Sequence, residues 1–370
     1  MKNLVKKSIL SVKPYLPGKP IDEVKRELGI KDVCKLASNE NPYPPPPKVL
    51  KAIKDELKNL NRYPDGNCFY LRQALAKELG VDQDQLIFGN GSDEIIVMAV
   101  RAFAGEGDEV LTARPTFMIY EIATKISGAD IRMIPLKDFR FDLMAMREAV
   151  TSRTKIIFIA NPNNPTGTYV THAEMETFLK GLPSNIIVFL DEAYYEFVGK
   201  KDYPQSLMLL PRYPNLILTR TFSKVYSLAG LRVGYGVASQ EMVELLNRIR
   251  EPFNVNSLAQ VAALAALKNK AYYRGVSQEI ASEKKRLYKN LKKMNMAFVE
   301  SATNFVLVDV KGDSLQVSQQ LLRQGVIVRD MGFWGLDQFI RVTIGTPKEN
   351  DKFIKALKEA CPVRDSGNKV

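Results

Sequence analysis

From Asp84 onward, short and nearly continuous apolar runs alternate with longer segments in which apolar residues recur every three or four positions. The runs LIFG, EVLTA, IRMIPL, KIIFIA, NIIVFLD, NLILT and RVGYGV read as strands, and the periodic segments between them read as helices. Strands that are apolar on both faces are covered by helices on both sides. The pattern therefore predicts an α/β fold around a mostly parallel, doubly wound sheet. In such a sheet the crossovers are right-handed and a ligand sits at the carboxyl ends of the strands.

The pattern changes at two places. Residues 1–46 read as an N-terminal arm that contributes to a smaller domain; it carries a short helix, IDEVKRELG, closed by Gly29. Pro44 to Pro47 form a stiff connector whose last prolines open the helix from Lys48 to Leu60, and Asn67 is the expected cap of the next helix. Residues 47–252 form the large domain. Beyond Pro252 come two helical stretches, then strands NFVLVDV, VIVRD and FIRVTIG interleaved with helices, so residues 253–370 read as a smaller α+β domain with a frayed tail.

Composition narrows the class. The chain has 370 residues, 45% of them hydrophobic, and a formal charge of +12. Nothing near the N-terminus reads as a signal peptide, and no stretch reaches the roughly 18 apolar residues of a membrane helix, so a cytoplasmic protein is expected. Cys34, Cys68 and Cys361 are scattered, which argues against a disulfide framework or a metal site. His172, after the helix cap Thr171, reads as an exposed first-turn residue. The basic excess lies in helical runs such as EKKRLYKNLKK without aromatic interleaving; it reads as a solvated helix face that attracts acidic metabolites, not nucleic acid.

Candidate chemistry sits where strands end. In TRTFSKVYSLAGLRVG a strand runs into a hydroxyl-rich turn at Lys224, with Arg232 between glycines. Thr221 and Ser223 suit phosphate oxygens, Arg232 suits a bidentate grip, and an amine beside a fixed cation is a usable nucleophile. A solvated surface lysine would also account for Lys224 taken alone. GNGSDE opens a helix whose N–H groups at Ser92 and Asp93 suit a phosphate, although a structural turn has the same look. NPNNPTG presents Asn164 at the end of KIIFIA, and a rigid turn alone explains most of that motif. DEAYYEF places Asp191 at the end of a buried strand, where a carboxylate needs a partner: a helix N-terminus or a protonated ring nitrogen. Tyr194, three residues on, suits an adjacent phenolate-like oxygen.

Taken together these pieces describe pyridoxal 5'-phosphate. Lys224 is the linking amine and Asp191 keeps the pyridine nitrogen protonated. Asn164 and Tyr194 hold the 3-oxygen. Ser92, Asp93, Thr221, Ser223 and Arg232 hold the phosphate, and Phe117 stacks on the ring. A nucleotide-dependent oxidoreductase is disfavoured, because the glycine turn at 89–91 is not a full G-x-G-x-x-G. A regulator built on this fold needs a DNA-binding module, and no stretch is left over for one.

The same motifs carry a resemblance. YLPGK, LASNENP, RYPDG, GNGSDE, NPNNPTG, DEAYYEF, TFSK, LAGLRVG and IRVTIGTPKEN are similar to those of the fold-type I aminotransferases, the histidinol-phosphate aminotransferases most closely. The resemblance spans nearly the whole chain. It implies a transaminase that moves an amino group between histidinol phosphate and 2-oxoglutarate in histidine synthesis, with glutamate as the other amino partner. It further implies that Tyr63 reaches the cofactor phosphate of a neighbouring subunit, hence a homodimer with composite sites. By the same resemblance Arg341 binds a substrate carboxylate, Arg329 a substrate phosphate, and Tyr15 closes over the substrate. Phe117 stands where many members have tyrosine, and Trp334 lies beside the two arginines. That aromatic wall keeps aromatic-amino-acid aminotransferases and threonine-phosphate decarboxylases as alternatives on the same fold.

Overall fold

A computed structural model of the chain describes residues 3–12, 14 and 18–362, so Tyr15 and the tail from residue 363 lie outside the described residues. The first strand, β1 (Cys34–Lys35), belongs to the arm. The next seven, β2 (Leu86–Gly89), β3 (Glu109–Arg114), β4 (Asp130–Pro135), β5 (Thr154–Ala160), β6 (Ile187–Asp191), β7 (Leu216–Thr221) and β8 (Gly234–Val237), form one sheet in the order β2-β8-β7-β6-β5-β3-β4. β3 to β7 pair in parallel, and β8 runs antiparallel between β7 and β2.

The continuous apolar runs are the buried strands. Every residue of β6 and β7 is buried, whereas no residue of the edge strand β4 is fully buried. Strand order reverses between β3 and β5, which opens a crevice at their carboxyl ends. The segments after β3 (Pro115–Phe117) and after β5 (residues 161–167) flank that crevice.

The C-terminal strands β9 (Phe298–Val299), β10 (Phe305–Asp309), β11 (Val326–Ile327), β12 (Arg329–Asp330) and β13 (Phe339–Thr343) divide between two small sheets. One is antiparallel, in the order β12-β13-β10-β9; the other pairs β11 with β1 in parallel. The run VIVRD, read as one strand, is therefore two. Its first half tethers the arm, and its second half places Arg329 directly across from Arg341. No described helix is long and apolar enough to cross a membrane.

Three local expectations are corrected. Asn67 does not cap its helix: the Asp65 carboxylate accepts from the Phe69 and Asn67 N–H groups, and Cys68 takes the left-handed conformation at the boundary. His172 is half-buried, with Nδ1 accepting from the Gln205 N–H, although Thr171 does cap its helix in a reciprocal box with Glu174. The basic run of the helix Lys270–Lys293 is not wholly solvated. Lys284 is buried and donates to the Ser301 and Thr303 carbonyls, and burial lowers its pKa to about 8. The loop it holds abuts the turn after β5, where the Ala302 N–H donates to the Gly167 carbonyl.

Candidate active site

A cavity of about 460 Å³ opens at the carboxyl ends of β3, β5, β6 and β7, and its walls include Lys224, Asp191, Arg232, Asn164, Arg329 and Arg341. A larger groove of about 560 Å³, between residues 137–147 and the helix His172–Lys180, contains none of the residues singled out from the sequence. The residues singled out at the strand ends gather in the smaller one.

Asp191 ends β6 with its side chain turned into the crevice. It accepts hydrogen bonds from Tyr120 Oη (2.8 Å), the Ala193 N–H (3.1 Å) and, weakly, Thr219 Oγ1 (3.4 Å). All three donors are neutral. Burial pushes the carboxyl up to about 6 and outweighs these bonds, which pull the other way. Only a cation brought into the cavity would match this carboxylate. The proton of Tyr120 is held in turn, because burial, then Asp191, pushes that phenol well above its ordinary range.

The other end of the cavity is an anion cradle. The helix Ser92–Phe103 starts there, and Gly91 enters it at a φ of 87°. A Cβ on Gly234 would lie 2.4 Å from the Ser92 nitrogen, so β8 and the helix start fit together only around glycine. Arg232 Nη2 donates to Asp93 Oδ1 at 2.8 Å, and Nη1 donates to the Ala229 carbonyl and Ser223 Oγ. The Asp93 carboxylate thus orients the guanidinium, leaving Thr221, Ser223 and the helix N–H groups facing the cradle.

Between these ends lies Lys224, half-buried, its Nζ 5.4 Å from the centroid of the Tyr194 ring. Tyr194 Oη accepts from Asn39 Nδ2 at 2.9 Å and so keeps its own proton to donate. Asn164 Oδ1 accepts from Arg341 Nη1, which leaves the Asn164 amide group directed elsewhere. Arg341 Nη2 donates to the Ala37 carbonyl at 2.7 Å. Phe117 stands edge-on to Tyr120, with ring centroids 5.7 Å apart.

Tyr63 is not among the walls. It is 83% exposed and stacks on Phe253 at 4.7 Å; Phe69 and Tyr70 are also exposed and meet edge to face at 5.3 Å. Two site residues escaped the sequence reading. Tyr120 lies one turn beyond Phe117, and the shared spacing of PTFMIY was the available signal. Asn39, buried at a positive φ of 55°, is bonded to Tyr194 and to Thr343 of β13; only its place in the LASNENP motif hinted at it.

The residues present fit pyridoxal phosphate: a buried carboxylate lacking a cation at one end, a cationic glycine-lined cradle at the other, and a lysine between. The comparisons agree. Residues 31–357 match the model of the aminotransferases of class I and II. The histidinol-phosphate aminotransferase of Moorella thermoacetica is 51% identical, over 96% of this chain and 92% of the relative. That of Brevibacillus brevis is 49% identical, over 96% and 97%. Among solved structures, the histidinol-phosphate aminotransferase of Sinorhizobium meliloti in complex with pyridoxal-5'-phosphate superposes with a TM-score of 0.89 at 29% identity, covering 97% of both chains. The aspartate aminotransferase of Thermus thermophilus, at 21% identity and a TM-score of 0.84, shares the fold. With its fold, its cradle and this match in hand, the chain belongs to the class I and II aminotransferases.

Proposed function

We propose that this aminotransferase exchanges an amino group between L-histidinol phosphate and 2-oxoglutarate, with pyridoxal 5'-phosphate as cofactor. The observation that carries the reading is the convergence of Lys224, Asp191 and the Arg232 cradle with two cross-strand arginines, in a chain about half identical to enzymes named for that reaction. Bound pyridoxal phosphate supplies an electron sink for the pair left when the substrate Cα loses its proton.

The chain's own residues do the rest. Asp191 holds a proton at the ring nitrogen, and Tyr120 steadies Asp191. Tyr194 Oη and Asn164 Nδ2 orient the 3-oxygen; Ser92, Asp93, Thr221, Ser223 and Arg232 bind the phosphate; Phe117 covers one ring face. Lys224 Nζ would take the proton from the substrate Cα and hold it for return, as general base and then acid. Arg341 takes a substrate carboxylate and Arg329 a substrate phosphate, so that glutamate and histidinol phosphate are served in turn by one cavity. Tyr15 is taken to close over the substrate by its motif alone.

The exposed Tyr63–Phe253 stack supports a homodimer in which Tyr63 completes the partner's cradle. A biosynthetic role is consistent with the cytoplasm. The deciding experiment is the visible spectrum of the purified protein, titrated with L-histidinol phosphate and separately with L-phenylalanine. Loss of the lysine-bound band at low histidinol phosphate supports the reading. A response to phenylalanine alone would replace it with an aromatic aminotransferase.

A further inference from the structure

The wall beyond the two arginines is built around Trp334, the only tryptophan of the chain. It sits in a short helical turn, Gly332–Trp334, in the connection between β12 and β13 of the small antiparallel sheet. Its indole Nε1 donates to the Thr116 carbonyl at 3.2 Å, across to the segment after β3. Thr116 precedes Phe117, and its Oγ1 donates to Asn163 Oδ1 at 2.8 Å, next to Asn164. The indole plane is therefore fixed to both loops that flank the crevice. On its face lies the Arg329 guanidinium, 5.1 Å from the ring centroid.

Arg329 has a second cation beside it. It stands directly across β12–β13 from Arg341, so two guanidiniums share one side of the sheet at neighbouring positions. Arg341 is tied down by Asn164 and the Ala37 carbonyl. A cation over an indole face is attracted to the ring and keeps its N–H edge turned outward to accept an anion. The part of the indole that lines the cavity is also a flat, polarisable surface suited to a planar ring.

We propose that Trp334 is a specificity-determining residue: its indole positions Arg329 and walls the side-chain end of the cavity, favouring substrates that join a planar ring to a phosphate ester. This rests on the functional reading above. Glutamate and 2-oxoglutarate carry a second carboxylate but no ring or phosphate, so their half-reaction depends less on this wall.

The test is steady-state kinetics of the holoenzyme in both half-reactions, for the unaltered protein, Trp334→Ala and Trp334→Phe. Trp334→Ala is expected to raise KM for L-histidinol phosphate about tenfold, the ratio equivalent to one good cation–aromatic contact. KM for glutamate rises by clearly less, since glutamate has no ring to lose contact with the indole. Trp334→Phe keeps a ring under Arg329 and recovers most of the loss. Equal KM increases for both donors, or an unchanged KM for histidinol phosphate in Trp334→Ala, would overturn the assignment alone. Absence of turnover of histidinol phosphate by the unaltered enzyme would overturn the functional reading, and this assignment with it.

Discussion

Asp191 and Glu192 are consecutive, both carboxylates and both buried, yet they sit on opposite faces of the sheet in opposite electrostatic situations. Glu192 faces away from the cavity. It accepts from Arg220 at 2.8 and 2.9 Å and from Tyr203 and Ser206, in a cluster where the Arg220 guanidinium also lies 3.5 Å from the Tyr195 ring centroid. Its charge is matched inside the protein. Asp191 has three neutral donors and a carboxyl pushed up to about 6 by burial. One carboxylate completes the fold; the other is completed by what binds. The neighbouring strand repeats the division, because Thr219 and Thr221 of β7 face the crevice while Arg220 between them faces the ion pair.

This contrast can be broken by substitution. Lys224→Ala is expected to lower turnover by at least the ~10²–10⁴-fold of a lost general acid–base group, while the melting temperature of the apoprotein holds. Asp191→Asn is expected to lower turnover over the same ~10²–10⁴ range without destabilising the apoprotein. Glu192→Ala does the reverse at the level of folding: it strands Arg220 and costs about 3–5 kcal/mol in a urea melt. A melt of Glu192→Ala that overlays the unaltered protein would end the comparison.

A pH series sharpens it. Between the ordinary carboxyl value of 3.8 and about 6, the unfolded chain has released the Asp191 proton while the folded apoprotein keeps it. Folded Asp191 binds the extra proton, so its contribution to stability is present below pH 4 and is lost as pH rises through 6. The shift corresponds to about 3 kcal/mol. Apo Asp191→Asn should therefore match the unaltered apoprotein near pH 4 and exceed its stability near pH 7. Saturation with pyridoxal phosphate should shrink that gap, because the ring nitrogen supplies the missing cation. A pH-independent gap would show that Asp191 has a partner already.

The smallest effect belongs to Tyr120→Phe. Deleting a donor that pulls the Asp191 value down raises that value further, and a neutral bond of this kind is worth about 1 kcal/mol. Weaker cofactor retention, by about fivefold in a dialysis assay, is expected with little change in KM for either substrate.

The strand ends were legible because each is a continuous apolar run halted by a polar motif, and burial on both faces leaves one chain direction and one functional edge. That logic reached Asp191, Asn164 and Lys224. It did not reach Asn39, which meets Tyr194 across 155 positions of chain, or the splitting of VIVRD between two sheets. Lys284 was misread for a related reason: its run is charged throughout, and only the packing of the 301–303 loop against the helix shows which charge is enclosed.

The chain by itself determined the alternation of buried strands and helices, the residue types at each strand end, and the nearness in sequence of Lys224 to a hydroxyl-rich turn and Arg232. Periodicity and local turn chemistry act over a few residues and are written in the order of the sequence. Tertiary structure alone decided which of two adjacent carboxylates is matched inside the protein. It also set Arg329 across from Arg341, with Trp334 beneath Arg329. Those outcomes depend on strand register and on contacts between distant segments, where a shift of one position turns a side chain to the opposite face.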